Sequence, residues 1–273
     1  MNTSARLSIV GTGIRPGGKL TTEARYLLEA ADRVLVLVDG LALEVIGRLN
    51  EKVESLQDCY RDGDRRDAAY ARMVARMLDP LSDGEHVCAA FYGHPGVFVW
   101  PAHEAVRQAR SDGFQARMFP GISAEDCLFA DLGLDPAVHG CQSFEANDFY
   151  LHARRFDPTA ALILWQPAAL GDIHRMRFEA DPVWVRALSE ALMADYPADH
   201  PVIVYEAAVF PLDTFRRESL PLASLHEARF SQVSTLYLPP IGSPRLDPER
   251  LKAVGVSADD LTPAAFLNYR NGF

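Results

Sequence analysis

Cysteine is scarce in this chain. Cys59, Cys88, Cys127 and Cys141 are the four in 273 residues, scattered, with no C-x-x-C pair and no matching histidine spacing. That excludes a disulfide-scaffolded fold and the common thiolate zinc sites, and predicts reduced thiols in or near the core of a cytoplasmic protein. Long hydrophobic runs are also missing. None approaches the ~20 residues a bilayer span needs, and Met1 to Arg6 leads straight into a strand without the apolar region of a signal peptide, so no membrane partner is expected. Positive charge is in the minority, 27 basic against 37 acidic residues for a net −10, which argues against nucleic acid or an anionic membrane as the main partner. No repeat of fixed period is present. What remains, 48% hydrophobic and 23% charged residues, is the balance of a soluble globular enzyme. At ~150 residues per domain the length predicts one large or two modest domains.

The order of apolar runs and turn residues predicts strand, turn and helix in succession. Leu7 to Val10 reads as a first strand, ending in the glycine-rich Gly11-Thr12-Gly13-Ile14-Arg15-Pro16-Gly17. The spacing is G-x-G-x-x-x-G with a proline inside, and no acidic residue is placed for a ribose, so it is not the dinucleotide fingerprint. Thr21 or Thr22 caps a helix striped with Ala24, Leu27, Leu28 and Ala31. Arg33–Val38 is a buried strand and Leu41–Leu49 a helix. A charged loop, Tyr60 to Asp67, leads into a helix from Arg66 to Leu78 that places Arg66 and Tyr70 on one face. Taken alone, that is a solvated loop and a tyrosine packed on an apolar helix. Further strands are expected at His86–Phe91, Gln115–Phe119, Ala161–Gln166, Pro201–Glu206 and Ser234–Leu238, with an edge strand from Thr214 to Leu220. Helices are expected at Val99–Ala109 and Val183–Met193, and the chain closes on Phe266 to Arg270. Turn residues at Gly133-Leu134-Asp135-Pro136 mark a domain boundary.

Two loops stand out. Phe91 to Phe98 holds Gly93, Pro95 and Gly96, a loop whose backbone can approach a ligand closely. Pro120 to Asp126 opens a helix, with Ser123 as N-cap and Asp126 three positions on as a variant capping box. As βα turns alone, both are ordinary features of an α/β fold.

The order of these features, a V-G-x-G loop at Val10–Gly13 followed by Leu20-Thr21, the loop around His94, the P-G-x-S-A run at Pro120–Ala124 and strand ends at Gln166 and Thr235, resembles the tetrapyrrole methylase superfamily over most of the chain. Cobalamin-type members carry an aspartate where His94 stands, which points away from a corrin or porphyrin substrate. The longer runs Tyr92–Phe98, Pro120–Leu132 and Ser143–Phe149 are similar to one branch, the borosin peptide backbone α-N-methyltransferases. In that branch a tyrosine, an arginine six later and a tyrosine four beyond form the catalytic set, and Tyr60, Arg66 and Tyr70 stand at that spacing.

The resemblance implies two consecutive α/β domains, 1–134 and 135–242, with the cofactor cleft between them, and a tail, 243–273, that packs or contacts a dimer partner. It implies S-adenosylmethionine as methyl donor, S-adenosylhomocysteine as product and no metal. It carries over Tyr92, His94, Val97, Phe98, Ser123 and Ala124 as cofactor residues, with Gln166, Tyr205, Glu206, Ser234 and Thr235 at later strand ends. His94 reads equally as a satisfied loop histidine, and Glu145 and Asp148 as structural residues. Fused members of the branch carry their substrate as a C-terminal extension. Here the tail has no apolar run resembling a core peptide, so the expectation is the split type: a homodimer methylating a separate precursor peptide, as a 2:2 assembly. The competing readings are a tetrapyrrole or other small-molecule methyltransferase and a non-catalytic binding member.

Methylating a backbone amide demands particular groups. The nitrogen lone pair is delocalised into the carbonyl, so the amide reacts only as an imidate-like species. That needs a base for the proton and a donor for the charge building on the carbonyl oxygen. A tyrosine beside a guanidinium is a candidate base. Arg66 and Tyr70 are expected to activate the amide, with Tyr60 as second hydroxyl or positioning group, and which tyrosine removes the proton stays open.

Overall fold

A computed structural model describes residues 5–257 apart from 16, 62, 173–178, 211 and 243. The expected segment Phe266 to Arg270, Pro16 of the first loop and Asp62 of the charged loop lie outside the described residues. The chain divides into two compact units, Met1–Cys127 with Ala207–Thr214, and Leu128–Glu206 with Phe215–Phe273.

The first unit is built on β1 (Arg6–Gly11), β2 (Arg33–Leu37), β3 (Val53–Ser55), β4 (His86–Phe91) and β5 (Gln115–Phe119), in the order β3-β2-β4-β1-β5. Every pairing is parallel, which forces crossover connections, here α1 (Thr22–Ala30), α2 (Gly40–Gly47), α3 (Arg66–Leu78) and α4 (Trp100–Ser111). Period-two alternation along the strands supplies two cores. Leu7, Ile9, Val87 and Ala89 pack with Met73 and Met77 of α3 and with Ala102 and Ala105 of α4. Val10, Val34, Val36 and Cys88 pack on the other side with Ala24 and Leu28 of α1 and Ile46 of α2. Caps set the helix starts: Thr21 Oγ1 accepts from the Ala24 amide at 3.1 Å and Asp39 Oδ1 from Ala42 at 2.8 Å, each contributing ~1 kcal/mol.

The second unit begins within α5 (Ala124–Leu132) and continues through α6 (Pro136–His139), β6 (Cys141–Glu145), α7 (Ala146–Leu151), β7 (Ala161–Trp165), α8 (Pro182–Leu192), β8 (Pro201–Glu206), β9 (Arg216–Pro221), β10 (Thr235–Leu238) and α9 (Pro248–Ala253). Its sheet runs β6-β7-β10-β8-β9, and only β6 and β7 are parallel. The uniform strand-turn-helix reading therefore needs correction in this half, where β10 runs antiparallel to both neighbours. β9 lies at the edge, as its alternating exposure expects. The edge strands β3 and β6 escape a sequence reading because they are short, polar and only half-buried. Cys59, Cys88 and Cys127 are buried and Cys141 half-buried, all as free thiols. Among the described residues no helix is long and apolar enough to cross a membrane.

One buried titratable group ties β4 to β1. His86 is 4% exposed, with Ser8 Oγ 3.0 Å from its Nε2 and Arg6 Nη2 3.2 Å from its Nδ1. Burial, aided by the Arg6 charge, holds its pKa below the usual imidazole value. The folded state thus takes up this proton less readily than the unfolded chain, so the contribution is complete above the unfolded pKa of ~6.5 and is lost as pH falls below it. Urea denaturation at pH 7.5 and 5.5 is expected to show a lower midpoint at 5.5, with the pH dependence reduced in His86→Gln. An equal dependence in the variant refutes the assignment.

Candidate active site

The catalytic candidates lie where α3 begins. Tyr60 closes a short 3-10 turn, Gln57–Cys59, and Arg66 and Tyr70 stand one turn apart on α3. Arg66 Nη1 donates to Tyr70 Oη at 3.4 Å. Its Cζ sits 5.5 Å from the centre of the Tyr60 ring, and the two tyrosine rings meet edge-on at 6.4 Å and 72°. One guanidinium thus touches both phenols, a charge over one ring and a donor to the other hydroxyl. Burial pushes Tyr60 up to about 12, with the neighbouring Tyr70 adding to the shift and Arg66 opposing it. At neutral pH its hydroxyl therefore remains a proton carrier and hydrogen-bond donor.

Two features of this cluster are not readable from spacing. Trp100, at the start of α4, stacks on Tyr70 at 6.1 Å and 21°. The loop carrying Tyr60 is stapled to α3 by arginines on its far side. Arg72 donates from Nε and Nη2 to the Cys59 carbonyl at 3.0 and 2.8 Å and from Nη2 to Asp64 at 2.7 Å. Arg76 reaches the Ser55 carbonyl at 3.0 Å and Glu54 at 2.9 Å. The only sequence signal is a pair of arginines one helical turn apart, indistinguishable there from a solvated face.

The two loops singled out above meet at the C-terminal ends of β1, β4 and β5. Gly13 and Gly93 exchange backbone hydrogen bonds of 3.2 and 3.1 Å. A Cβ on Gly11 would lie 2.3 Å from the Gly93 oxygen, and one on Gly121 would lie 2.4 Å from it, so only glycine permits the approach. Beyond Gly93, His94 Nδ1 accepts from the Gly96 amide at 2.9 Å, which leaves Nε2 as the protonated nitrogen of the neutral ring. Phe98 is held at a φ of 57°, a conformation that costs a non-glycine residue on the order of 1 kcal/mol or more. It stands 43% exposed beside Val97 at 42%, an apolar pair kept at the surface. Tyr92 is half-buried, and burial pushes its hydroxyl up to about 12. Asp126 Oδ2 accepts from the Ser123 amide at 2.6 Å and hydroxyl at 2.7 Å, while Ser123 Oγ accepts from the Asp126 amide at 3.2 Å. The capping box is reciprocal, and Ala124 opens α5 directly behind it.

The remaining candidates sit at one end of the second sheet. Thr235 pairs with Trp165 on one side and Tyr205 on the other, so Gln166, Ser234 and Glu206 flank that row. Gln166 adopts a left-handed conformation, φ 56°, and its Oε1 is buried with no hydrogen bond among the described residues. Tyr205 is fully buried and donates to Asp131 Oδ2 at 2.6 Å. Glu206 Oε1 accepts from Ser234 at 2.6 Å, Ser231 at 2.9 Å and Arg216 at 2.8 Å. Although burial opposes it, these donors hold the Glu206 carboxyl below the usual range. Glu145 and Asp148 carry structural contacts: Glu145 caps α7 through the Asp148 amide at 2.8 Å, and Asp148 pairs with Arg154 at 2.9 Å. Among the described residues no group of three His, Cys, Asp or Glu side chains is arranged to hold a metal ion.

Known proteins share both the sequence and the fold. The methyltransferase/ribosomally synthesized cyclic peptide gymnopeptides precursor of Gymnopus fusipes is 39% identical over 241 residues, covering 86% of this chain and 57% of that protein. The methyltransferase/ribosomally synthesized type I borosin cyclic peptide precursor of Coprinopsis marcescibilis is 35% identical over 273 residues, covering 95% of this chain and 70% of that protein. The chain thus spans 57% and 70% of the length of these two relatives. Among solved structures, a cobalamin biosynthetic enzyme, cobalt precorrin-4 methyltransferase, superposes with a TM-score of 0.63 at 17% identity, over 88% of this chain and 96% of that one, a likeness of fold. Residues 6–222 match the family described as Tetrapyrrole (Corrin/Porphyrin) Methylases, and the chain belongs to that family.

Proposed function

We propose that this chain transfers methyl groups from S-adenosylmethionine to backbone amide nitrogens of a ribosomally made precursor peptide supplied as a separate molecule, the chemistry of borosin biosynthesis. The observation that carries the reading is Arg66 in contact with both Tyr60 and Tyr70. The relatives' names, which pair a methyltransferase with a ribosomally synthesized cyclic peptide precursor, support a peptide substrate, though in them enzyme and precursor are one protein.

In the second unit Gln166 offers a buried, unused acceptor that fits an amino group; in the first, Val97 and Phe98 offer an exposed apolar wall. The residues proposed to hold S-adenosylmethionine are Tyr92, His94, Val97, Phe98, Ser123 and Ala124 of the first unit and Gln166, Tyr205, Glu206, Ser234 and Thr235 of the second. Tyr205, Ser234 and Thr235 are buried, so their part is to set the strand ends rather than to expose a hydroxyl. When bound, S-adenosylmethionine supplies an electrophilic methyl group. In the reaction, Tyr70 Oη, as a phenolate facing the Arg66 guanidinium, would take the amide N–H proton and become the neutral phenol, leaving the nitrogen lone pair for the methyl group that S-adenosylmethionine would supply, with S-adenosylhomocysteine released. Arg66 and the protonated Tyr60 hydroxyl hold the charge on the carbonyl oxygen. Aligning donor and acceptor is the remaining task of the site.

Intact-mass spectrometry tests the substrate. Incubated with S-adenosylmethionine and a precursor peptide encoded beside it, the enzyme is expected to add methyl masses stepwise to the peptide, placed on backbone nitrogens by fragmentation, while its own mass stays constant. Self-methylation overturns the separate-substrate arrangement. Methylation of a tetrapyrrole with no peptide product overturns the substrate class. We assign the assembly as a homodimer, in a 2:2 complex with precursor, and light scattering at one subunit mass refutes it.

A further inference from the structure

An acidic protein concentrates arginine along one edge of its first sheet. β5 is the outer strand, with β1 on its other side. Arg110 Nε donates to the Ala116 carbonyl at 2.9 Å, so that carbonyl points away from β1. Because the N–H and C=O of one strand residue face the same way and alternate along the strand, Ala116 and Met118 present their backbone groups on the open edge. Among the described residues, Arg110 covers the Ala116 carbonyl.

A groove lies on each side of this edge. One, of about 670 Å3, is lined on the α4 side by Arg107 and Met118, and another, of about 570 Å3, by Arg6 and Tyr26; Arg110 and Arg117 line both. Arg107 is neutralised by Glu104, 2.5 Å away. Among the described residues the other three meet a histidine ring, a backbone carbonyl and an aromatic face: Arg6 at His86, Arg110 at Ala116, and Arg117 4.7 Å over the Phe119 ring. Three guanidiniums therefore border an open strand edge on both of its faces, in a chain of net charge −10. Protecting an edge against self-pairing takes a single charged residue pointing across it. Arginines on both faces, with strand groups left open between them, match a different arrangement: an added strand whose side chains alternate between the two grooves and carry negative charge.

We infer that the β5 edge is a docking site for an extended acidic peptide segment, which pairs with Ala116 and Met118 through its backbone and with Arg6, Arg110 and Arg117 through its carboxylates. Arg110 releases the Ala116 carbonyl and takes a carboxylate instead. The site is separate from the tyrosine–arginine cluster, and its occupancy does not depend on methyl transfer.

Fluorescence anisotropy with a labelled oligoglutamate peptide, whose carboxylates reach both faces of an added strand, tests this on the full-length protein. The same peptide methylated at every backbone nitrogen carries the same charge but lacks the strand's backbone donors. Saturable binding of the first is expected, weakened at least ~10-fold by Arg110→Glu or Arg117→Glu and equally weakened for the N-methylated peptide. Amide exchange at Ala116 and Met118 is expected to slow on binding. Equal binding of both peptides reduces the site to ion exchange and overturns the pairing, as does unchanged affinity in both charge reversals or no saturable binding at all. If the reversals leave peptide binding alone but change the oligomeric mass, the edge is an interface between copies and the proposal is wrong. Methyl transfer is unchanged in these variants, because neither arginine belongs to the reacting cluster.

Discussion

Tyr70→Phe and Arg66→Ala are expected to bind S-adenosylmethionine within about twofold of the parent protein while methyl transfer falls by ~10²-fold or more, the usual consequence of losing a positioned proton acceptor or an oxyanion donor. The split follows from placement. Both side chains lie at the start of α3, where Arg66 donates to Tyr70 and covers Tyr60, whereas the proposed donor-binding residues of the first unit sit on the loops after β4 and β5. Tyr60→Phe is expected to cost less than Tyr70→Phe. Burial pushes the Tyr60 hydroxyl up to about 12, so in the proposed mechanism it donates to the developing charge and Tyr70 takes the proton. Calorimetric titration with S-adenosylmethionine, alongside single-turnover methylation of the precursor, separates the two quantities. Loss of cofactor affinity in Tyr70→Phe overturns the assignment of Tyr70 to the chemical step, and Tyr60→Phe more damaging than Tyr70→Phe reverses the roles of the two phenols.

The second large effect is on the glycine contact. Gly121→Ala is expected to destabilise the protein by at least ~1–3 kcal/mol and to weaken S-adenosylmethionine binding in whatever fraction folds. An added Cβ meets backbone, the Gly93 oxygen at 2.4 Å and the Gly11 Cα at 2.8 Å, and backbone cannot rotate aside as a flexible side chain does. Relief comes only by parting the loops after β1, β4 and β5, which carry the proposed cofactor residues. Gly47→Ala is the control. It stands at the end of α2 with nothing within 4 Å of its added Cβ, so it is expected to be neutral or to stabilise by up to ~1 kcal/mol. Urea denaturation compares the two, and equal midpoints for Gly121→Ala and the parent refute the close approach.

Much of the local structure was legible in the chain alone. α3 begins at Arg66 and ends at Leu78, and β4 and β8 have the bounds expected of them, because valine-rich runs, helical stripes and capping residues act over a few positions. Thr21 and Ser123 cap as their residue types require. The placement of Arg66 and Tyr70 on one face is likewise set by the 3.6-residue period.

The roles of these residues were not legible in that way. Tyr60, Arg66 and Tyr70 stand in what spacing alone makes a solvated loop and a tyrosine packed on an apolar helix, and only the resemblance to known methyltransferases marked them as a set. Other properties arose only on folding, since they depend on residues far apart in sequence. The order β3-β2-β4-β1-β5 and the mixed pairing of the second sheet are choices among crossovers that no local window contains. Trp100 meets Tyr70 across thirty positions because α4 packs on α3. Arg72 and Arg76, solvated charges by pattern, bond to backbone carbonyls and acidic groups of the preceding loop. The direction of the Tyr60 shift was a tertiary decision too: its sequence neighbour Arg66 favours the ionised phenol, and burial outweighs it. Sequence determined that the candidate groups stand within a few positions of one another; packing determined that Tyr60 is harder to ionise than its type alone implies, because the cost of charge is set by what surrounds it.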